Sequence, residues 1–333
     1  MQTLQSTETI GRDDAAACRT VEGLLSAARG RPTAVSSLRR RPSPFATLAP
    51  ADLLTALLAD GSTVSLFVKR CGSEQADHPD RQRPADREAR VYGQLLRDAG
   101  LPVVRCYGTR PSPHDGRSDL FLEFLDDWNL RYHDLEHWIT AARRLAHLHA
   151  HFAIRVARLL TCDFLLRFDA DYFRAWAERA LSTVTDCSTA LGARLDAVVS
   201  GNVPVAEWLA RAPVTLVHND LSPKNVLADR SIDPARIAIV DWELAGVGCG
   251  LLDLAHLAYG LGADAERRMC EAYCDEWRGL ARLPCDPSDF ERLLAACQLQ
   301  KVLYRLARWK AWRVTAAQVA GWVGEAEQLR ARI

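Results

Sequence analysis

The chain has 333 residues, of which 48% are hydrophobic and 25% charged. That balance suits a folded protein with a large core and room for two lobes. Its 42 basic and 42 acidic residues cancel, so no overall field draws it to nucleic acid or to an anionic membrane. No apolar run is long enough to span a bilayer. The N-terminal sequence MQTLQSTETIGRDD lacks the basic and apolar regions of a secretory signal, so a cytoplasmic location is expected. The ten cysteines are scattered without a C-x-x-C pair and read as reduced thiols rather than a disulfide framework. Cys270 and Cys274 lie one helical turn apart, a spacing that ordinary helix packing accounts for.

In chain order, residues 1–12 are polar and expected to be loosely ordered. Asp13 to Ala28 has apolar residues at helical spacing and is stopped by Gly30 and Pro32. Thr63–Lys69 alternates like a strand, and Asp60-Gly61 before it is a hairpin signal. The preceding run ADLLTALL has a helical composition, but its place opposite Thr63–Lys69 makes it a strand. Gly72–Asp86 is charged, rich in Pro and Asp, and reads as a loop. Arg87–Ala99 reads as a helix stopped by Gly100 and Pro102, and VVRCYG and LFLEFL as two further strands. Helices follow at Asp134–Phe152, with Asp134 as the cap, at Tyr172–Leu181, at Ala190–Val199 and over most of Leu252–Ile333. Residues 1–125 thus form a mainly β lobe with one inserted helix, and residues 126–333 a larger, mainly helical lobe.

The chemistry concentrates in VTLVHNDLSPKNVLADRSIDPARIAIVDWE, which starts at Val214. VTLV and RIAIV are short, apolar and β-branched, and are bounded by turn formers, so both read as buried strands. They deliver His218-x-Asp220-x-x-x-x-Asn225 and Asp241. A carboxylate at Asp220 can accept the proton of an acceptor hydroxyl. The Asn225 amide oxygen and the Asp241 carboxylate suit a divalent cation that bridges phosphates. His218 reads as a brace for the loop rather than a general base.

HNDLSPKNVL followed by IVDWELAGVGCGLLDLA resembles the aminoglycoside phosphotransferase and choline kinase family, which shares a bilobal fold with protein kinases. The resemblance implies an α+β kinase-like fold: a mainly antiparallel β lobe with one inserted helix, and a larger helical lobe. It also implies Mg2+ and ATP or GTP, Asp220 as base, Asn225 and Asp241 as metal ligands, and Asp253 as a structural acid. Lys69, at the end of SLFVK, then takes the role of the strand lysine that reaches the nucleotide phosphates. Glu88 becomes its helix partner, with Asp86 and Glu74 as substitutes. Ser43, in PSPFAT between the first two strands, is the candidate for the phosphate-covering turn, which here has no glycine. Glu123 and Leu125 would offer backbone groups to the purine.

Two positions depart from the family pattern. Ser222 stands where a basic residue is common, with Lys224 as a replacement for its charge, and Trp242-Glu243 follows Asp241 in place of Phe-Gly. These departures keep a second reading open, a nucleotide-binding pseudokinase or partner-binding module without turnover. Asp253 lies only twelve positions after Asp241 and no A-P-E follows, so a small-molecule acceptor is expected rather than a protein. Its candidate surroundings are acids (Glu271, Asp275, Glu276, Asp286, Asp289, Glu291) and aromatics (Tyr273, Trp277, Tyr304, Trp309, Trp312). Acids would suit an aminoglycoside or amino sugar and aromatics a choline-like ammonium. The expected partners are a nucleotide and this acceptor, with neither nucleic acid nor membrane. His147, His149 and His151 alternate on one helix, where neighbours two apart face away from each other, so His149 is read as a packing residue.

Overall fold

A computed structural model of the chain describes residues 14–44, 50–71, 80, 86–97, 100–111, 117–201, 203–232, 234–280, 287–312 and 314–333. The chain divides into two units, one of residues 1–127 with 229–243, the other of residues 128–228 with 244–333. The expectations for residues 1–12, for most of Gly72–Asp86 including Glu74, for Phe45–Thr47 and for Asp286 lie outside the described residues.

In the first unit, α1 (Asp14–Arg29) precedes β1 (Val35–Pro42), β2 (Ala51–Leu58) and β3 (Thr63–Cys71). Then come α2 (Arg87–Gln94), β4 (Cys106–Pro111) and β5 (Ser118–Glu123). The strands form one antiparallel sheet in the order β1-β2-β3-β5-β4. ADLLTALL is strand because β2 hydrogen-bonds to a neighbour on each side, which outweighs the helical preference of its Leu and Ala. The hairpin to β3 closes with Leu58 N–H on Ser62 O at 2.8 Å and Gly61 at φ +82°. Val21, Leu24 and Leu25 of α1 bury against Leu38, Leu54, Leu66 and Phe121 of the sheet.

Two boundaries differ from expectation. The helix from Arg87 ends at Gln94 rather than Ala99. There Leu96 N–H reaches back to Val91 O at 3.1 Å, a wide closing turn that leaves Leu95 and Leu96 buried. The strand expected from Val103 begins at Cys106. Val103 makes a single bridge to Ile239, and the register of β4 shifts between Cys106 and Gly108. Gly108 sits at φ +146°, and a Cβ there would come within 2.6 Å of a Leu24 methyl carbon.

The second unit is mainly helical: α3 (Leu135–Ala153), α4 (Val156–Leu160), α5 (Ala170–Thr185), α6 (Thr189–Ser200) and α7 (Val203–Arg211). After the catalytic segment come α8 (Leu251–Leu257), α9 (Ala263–Leu280), α10 (Pro287–Arg308) and α11 (Ala316–Ala331). Asp134 caps α3 through the His137 N–H. Apolar faces of α5, α6, α10 and α11 form a shared core. A small sheet of β6 (Leu166–Arg167), β7 (Val214–Val217) and β10 (Gly246–Cys249) runs in the order β6-β10-β7. Strands β8 (Val226–Asp229) and β9 (Arg236–Ile239) follow the catalytic loop in sequence. Among the described residues no helix is long and apolar enough to cross a membrane, and the described cysteines are thiols rather than disulfides.

Candidate active site

In the first unit, β3 delivers Lys69, α2 delivers Glu88, and the chain leaving β9 delivers Asp241. Lys69 Nζ lies 2.7 Å from Glu88 Oε2 and 2.5 Å from Asp241 Oδ1. The other Glu88 oxygen accepts from the Trp242 backbone N–H at 3.1 Å, so one carboxylate fixes both the lysine and the turn after Asp241. Burial by itself would lower the Lys69 pKa, but the facing carboxylates of Glu88 and Asp241 hold it well above its ordinary value. Burial pushes Glu88 up, to about 7, against the pull of Lys69. Asp241 sits at φ +71°, an unusual conformation for a residue with a side chain, which turns its carboxylate onto Lys69.

Arg87 went unnoticed in the sequence and clamps this turn. It is buried, and its Nη1 donates to Glu243 O and to Asp80 O, each at 2.7 Å. Trp242 is fully buried and donates through Nε1 to Ile239 O, so tryptophan here is a packing residue of the turn. Ser43 is buried just beyond β1, with its N–H on Ala51 O at 2.8 Å. The Glu123 carboxylate is engaged by Arg236 at 2.8 Å and by the Arg105 N–H at 2.9 Å. Leu125 buries its side chain.

In the second unit, β7 runs straight into the loop that carries Asp220. The Asp253 carboxylate, fully buried at the start of α8, accepts from His218 N–H at 2.7 Å and from Asn219 N–H at 2.8 Å. His218 is buried, and its Nδ1 accepts from Asp220 N–H at 3.2 Å. Asn219 takes φ 67° and donates from Nδ2 to Tyr172 Oη at 3.3 Å. Asn225 donates from Nδ2 to Asp220 O at 2.8 Å and to Asp220 Oδ2 at 3.2 Å. That orientation leaves the Asn225 amide oxygen without a hydrogen bond among the described residues. Lys224 Nζ stands 3.3 Å from Asp220 Oδ2. Ser222 Oγ is buried and has no hydrogen-bond partner among the described residues.

His149 is buried as a packing residue would be, and it is hydrogen-bonded as well. Its Nε2 lies 3.3 Å from Asp253 Oδ2 and its Nδ1 2.8 Å from Tyr273 Oη. A chain Tyr273–His149–Asp253 thus backs the His218–Asn225 loop. His149 and Tyr273 are 124 residues apart, so no local pattern could have joined them. Gly250 completes the support: a Cβ there would meet His149 Nδ1 at 2.7 Å. Two of the six acids expected around an acceptor are closely paired within their own helix. Glu271 pairs with Arg267 at 2.6 Å and Asp275 with Arg278 at 2.8 Å, all on exposed helix faces, while Tyr273 and Trp277 pack around His149.

One turn beyond Asp253, His256 is buried beside Lys301 and Arg305. Burial, then the charges of Lys301 and Arg305, keep its pKa well below 6.5. The unfolded chain therefore binds a proton that the folded chain refuses, and stability falls as the pH drops from 6.5 toward the folded value. The expected slope is about 1.4 kcal/mol per pH unit in that window. Denaturant melts across the window, with His256→Asn as the comparison, measure it: the variant should lose this part of the slope.

A strand lysine paired with a helix glutamate, and an aspartate-bearing loop pinned by a buried acid, are the arrangement of a kinase-like fold. The model of the phosphotransferase enzyme family matches residues 52–284, and the chain belongs to that family. No curated protein matches it in sequence. Among solved structures, it resembles a spectinomycin phosphotransferase bound to ADP and spectinomycin (13% identity, 94% of this chain and 96% of that one, TM-score 0.54). It also resembles the choline kinase LicA of Streptococcus pneumoniae (15% identity, 95% and 99%, TM-score 0.55). A third is the macrolide 2'-phosphotransferase MphH of Brachybacterium faecium (17% identity, 92% and 97%, TM-score 0.55). At these identities the likeness is one of fold, the α+β kinase-like fold expected from the sequence.

Proposed function

We propose that the chain is a small-molecule kinase that moves the γ-phosphate of ATP or GTP to an acceptor hydroxyl. The observation that carries this reading is Lys69 held between Glu88 and Asp241, a cation fixed where nucleotide phosphates need one. Asp220 accepts the proton of the acceptor hydroxyl, and Asn225 keeps its carboxylate oriented through Nδ2. Lys224, at the Asp220 carboxylate, supplies the positive charge that Ser222 lacks. Glu123 and Leu125 bracket the purine with backbone groups, and Ser43 belongs to the turn over the phosphates. His218 and Asp253 act through the loop they hold.

The donor set fits Mg2+. Asn225 and Asp241 offer hard oxygens, and the Asn225 amide is turned with its nitrogen toward Asp220. Among the described residues no group of three or more His, Cys, Asp or Glu could hold a metal ion. When bound, Mg2+ supplies neutralisation of phosphate charge. The reading places the protein in the cytoplasm, where nucleoside triphosphates are available.

The test is phosphate transfer from Mg·ATP or Mg·GTP by the purified protein over a panel of aminoglycosides, choline-like alcohols, amino sugars and sugar acids. Lys69→Met should lower kcat/KM for the nucleotide by roughly 10²–10³-fold, as when one preorganised electrostatic group is removed. Stabilisation by nucleotide with no transfer to any acceptor would favour the competing reading, a pseudokinase or partner-binding module.

A further inference from the structure

Lys301, Arg305 and Arg308 succeed one another at helical spacing along one side of α10, opposite the apolar face of Leu299, Val302, Leu303 and Leu306. None of the three cations makes an ion pair among the described residues. Lys301 is 6% exposed, and its Nζ donates to the His256 carbonyl at 3.0 Å. Arg305 stacks on the Tyr259 ring, 3.4 Å from its centroid. Arg308 keeps Nε and Nη1 buried without a hydrogen-bond acceptor and lies over the rings of Tyr304 and Trp312. The carboxylate on the neighbouring helix, Glu325, accepts from Tyr259 Oη at 3.0 Å.

Buried cationic N–H groups without an acceptor are costly, as Arg308 Nε and Nη1 are here, and proteins keep them where an anion completes the arrangement. Burial, then the Arg305 charge, lowers the Lys301 pKa well below its ordinary value against the pull of Asp220, Glu325 and Asp253, and burial lowers that of Arg305 against Tyr259 and Glu325. The stripe also adjoins the catalytic loop by two routes. Lys301 holds the carbonyl three residues after Asp253, the acid that fixes His218 and Asn219. From the other side, Asn219 donates to Tyr172, whose ring contacts Trp176, which packs 4.6 Å from Tyr304 of α10.

We propose that Lys301, Arg305 and Arg308 form a subsite for an anionic group, a carboxylate or phosphate ester, carried by the phosphoryl acceptor. This rests on the kinase reading above and narrows its acceptor from cationic molecules to hydroxy acids or sugar phosphates. A guanidinium grips either group through paired N–H donors. The aromatic rings beside it cover the apolar edges of a polyol.

Calorimetric titration without nucleotide tests it, with D-gluconate, glucose 6-phosphate, glucose, choline and sulfate as probes. Gluconate or glucose 6-phosphate should bind, and glucose and choline should bind far more weakly. Arg308→Gln and Lys301→Met should each weaken binding by about thirtyfold or more, the low end for stripping one side of a buried charge pair. Arg308 is partly exposed, so R308Q keeps the test sound if K301M fails to fold. Choline binding above gluconate, no binding of either anion, or unaltered affinity in R308Q overturns the subsite. Sulfate binding as tightly as both organic anions overturns its assignment to the acceptor. The kinase reading fails separately: D220N should still bind the anion but lose its phosphorylation by Mg·ATP, and full turnover in D220N would sink the mechanism while sparing the subsite.

Discussion

Asp220→Asn is expected to reduce turnover by about a thousandfold or more, within the range for removing a general base. The substitution is nearly isosteric, and the side chain is 30% exposed, so no buried charge is stranded. The amide oxygen introduced there can still accept from Asn225, and the loop remains pinned through the His218 and Asn219 N–H groups. Nucleotide-induced stabilisation should therefore persist while phosphate transfer disappears. Single-turnover measurements beside a nucleotide titration separate the two. Turnover within tenfold of wild type would remove Asp220 from the chemistry.

The largest stability effect should come from Asp253→Ala. The carboxylate lies fully buried and serves the N–H groups of His218 and Asn219 and, across the core, His149 Nε2. Each buried donor left without an acceptor costs about 1–3 kcal/mol, so the total is about 3–6 kcal/mol once the loop relaxes. Part of that loss comes from Asn219, which at φ 67° gives up the bond that holds it there. The effect should be visible as a shift in the denaturant midpoint. Asp253→Asn retains one acceptor oxygen and should fall between wild type and alanine. A D253A variant as stable as wild type would mean that the loop is held by something else.

Much of this was legible because it is local. The loop proposed to activate the acceptor hydroxyl sits within a few residues, His218 to Asn225, and its geometry follows from a strand entering a tight turn. Thr63–Lys69 alternates, and its hairpin is written in Asp60-Gly61. Glu88 was reached by order along the chain, and its contact with Lys69 spans only the gap between one strand and the next helix. The strand state of ADLLTALL followed from its position opposite β3, against its own composition. The length of α2 was misjudged because Leu95 and Leu96 continue the helical pattern, while their burial requires the chain to turn.

What escaped is long-range or depends on counting charges in space. Arg87 reads as a surface arginine beside a glutamate, yet it is buried and holds the carbonyl of Glu243, 156 residues away. His149 reads as one of three alternating histidines, and only tertiary packing picks it out for Asp253 and Tyr273. The acids of α9 read as surroundings for a cationic acceptor, and sequence shows charges but not their partners. In space Glu271 and Asp275 face arginines one turn away, while Lys301, Arg305 and Arg308 make no close ion pair among the described residues.

The sequence by itself determined the fold class, the family and the kind of chemistry, because strand periodicity, turn residues and the His218–Asn225 spacing are encoded over short stretches. Only the tertiary structure decided how the candidate site residues are held. Burial sets the worth of a charge or hydrogen bond, and burial belongs to elements far apart in the chain.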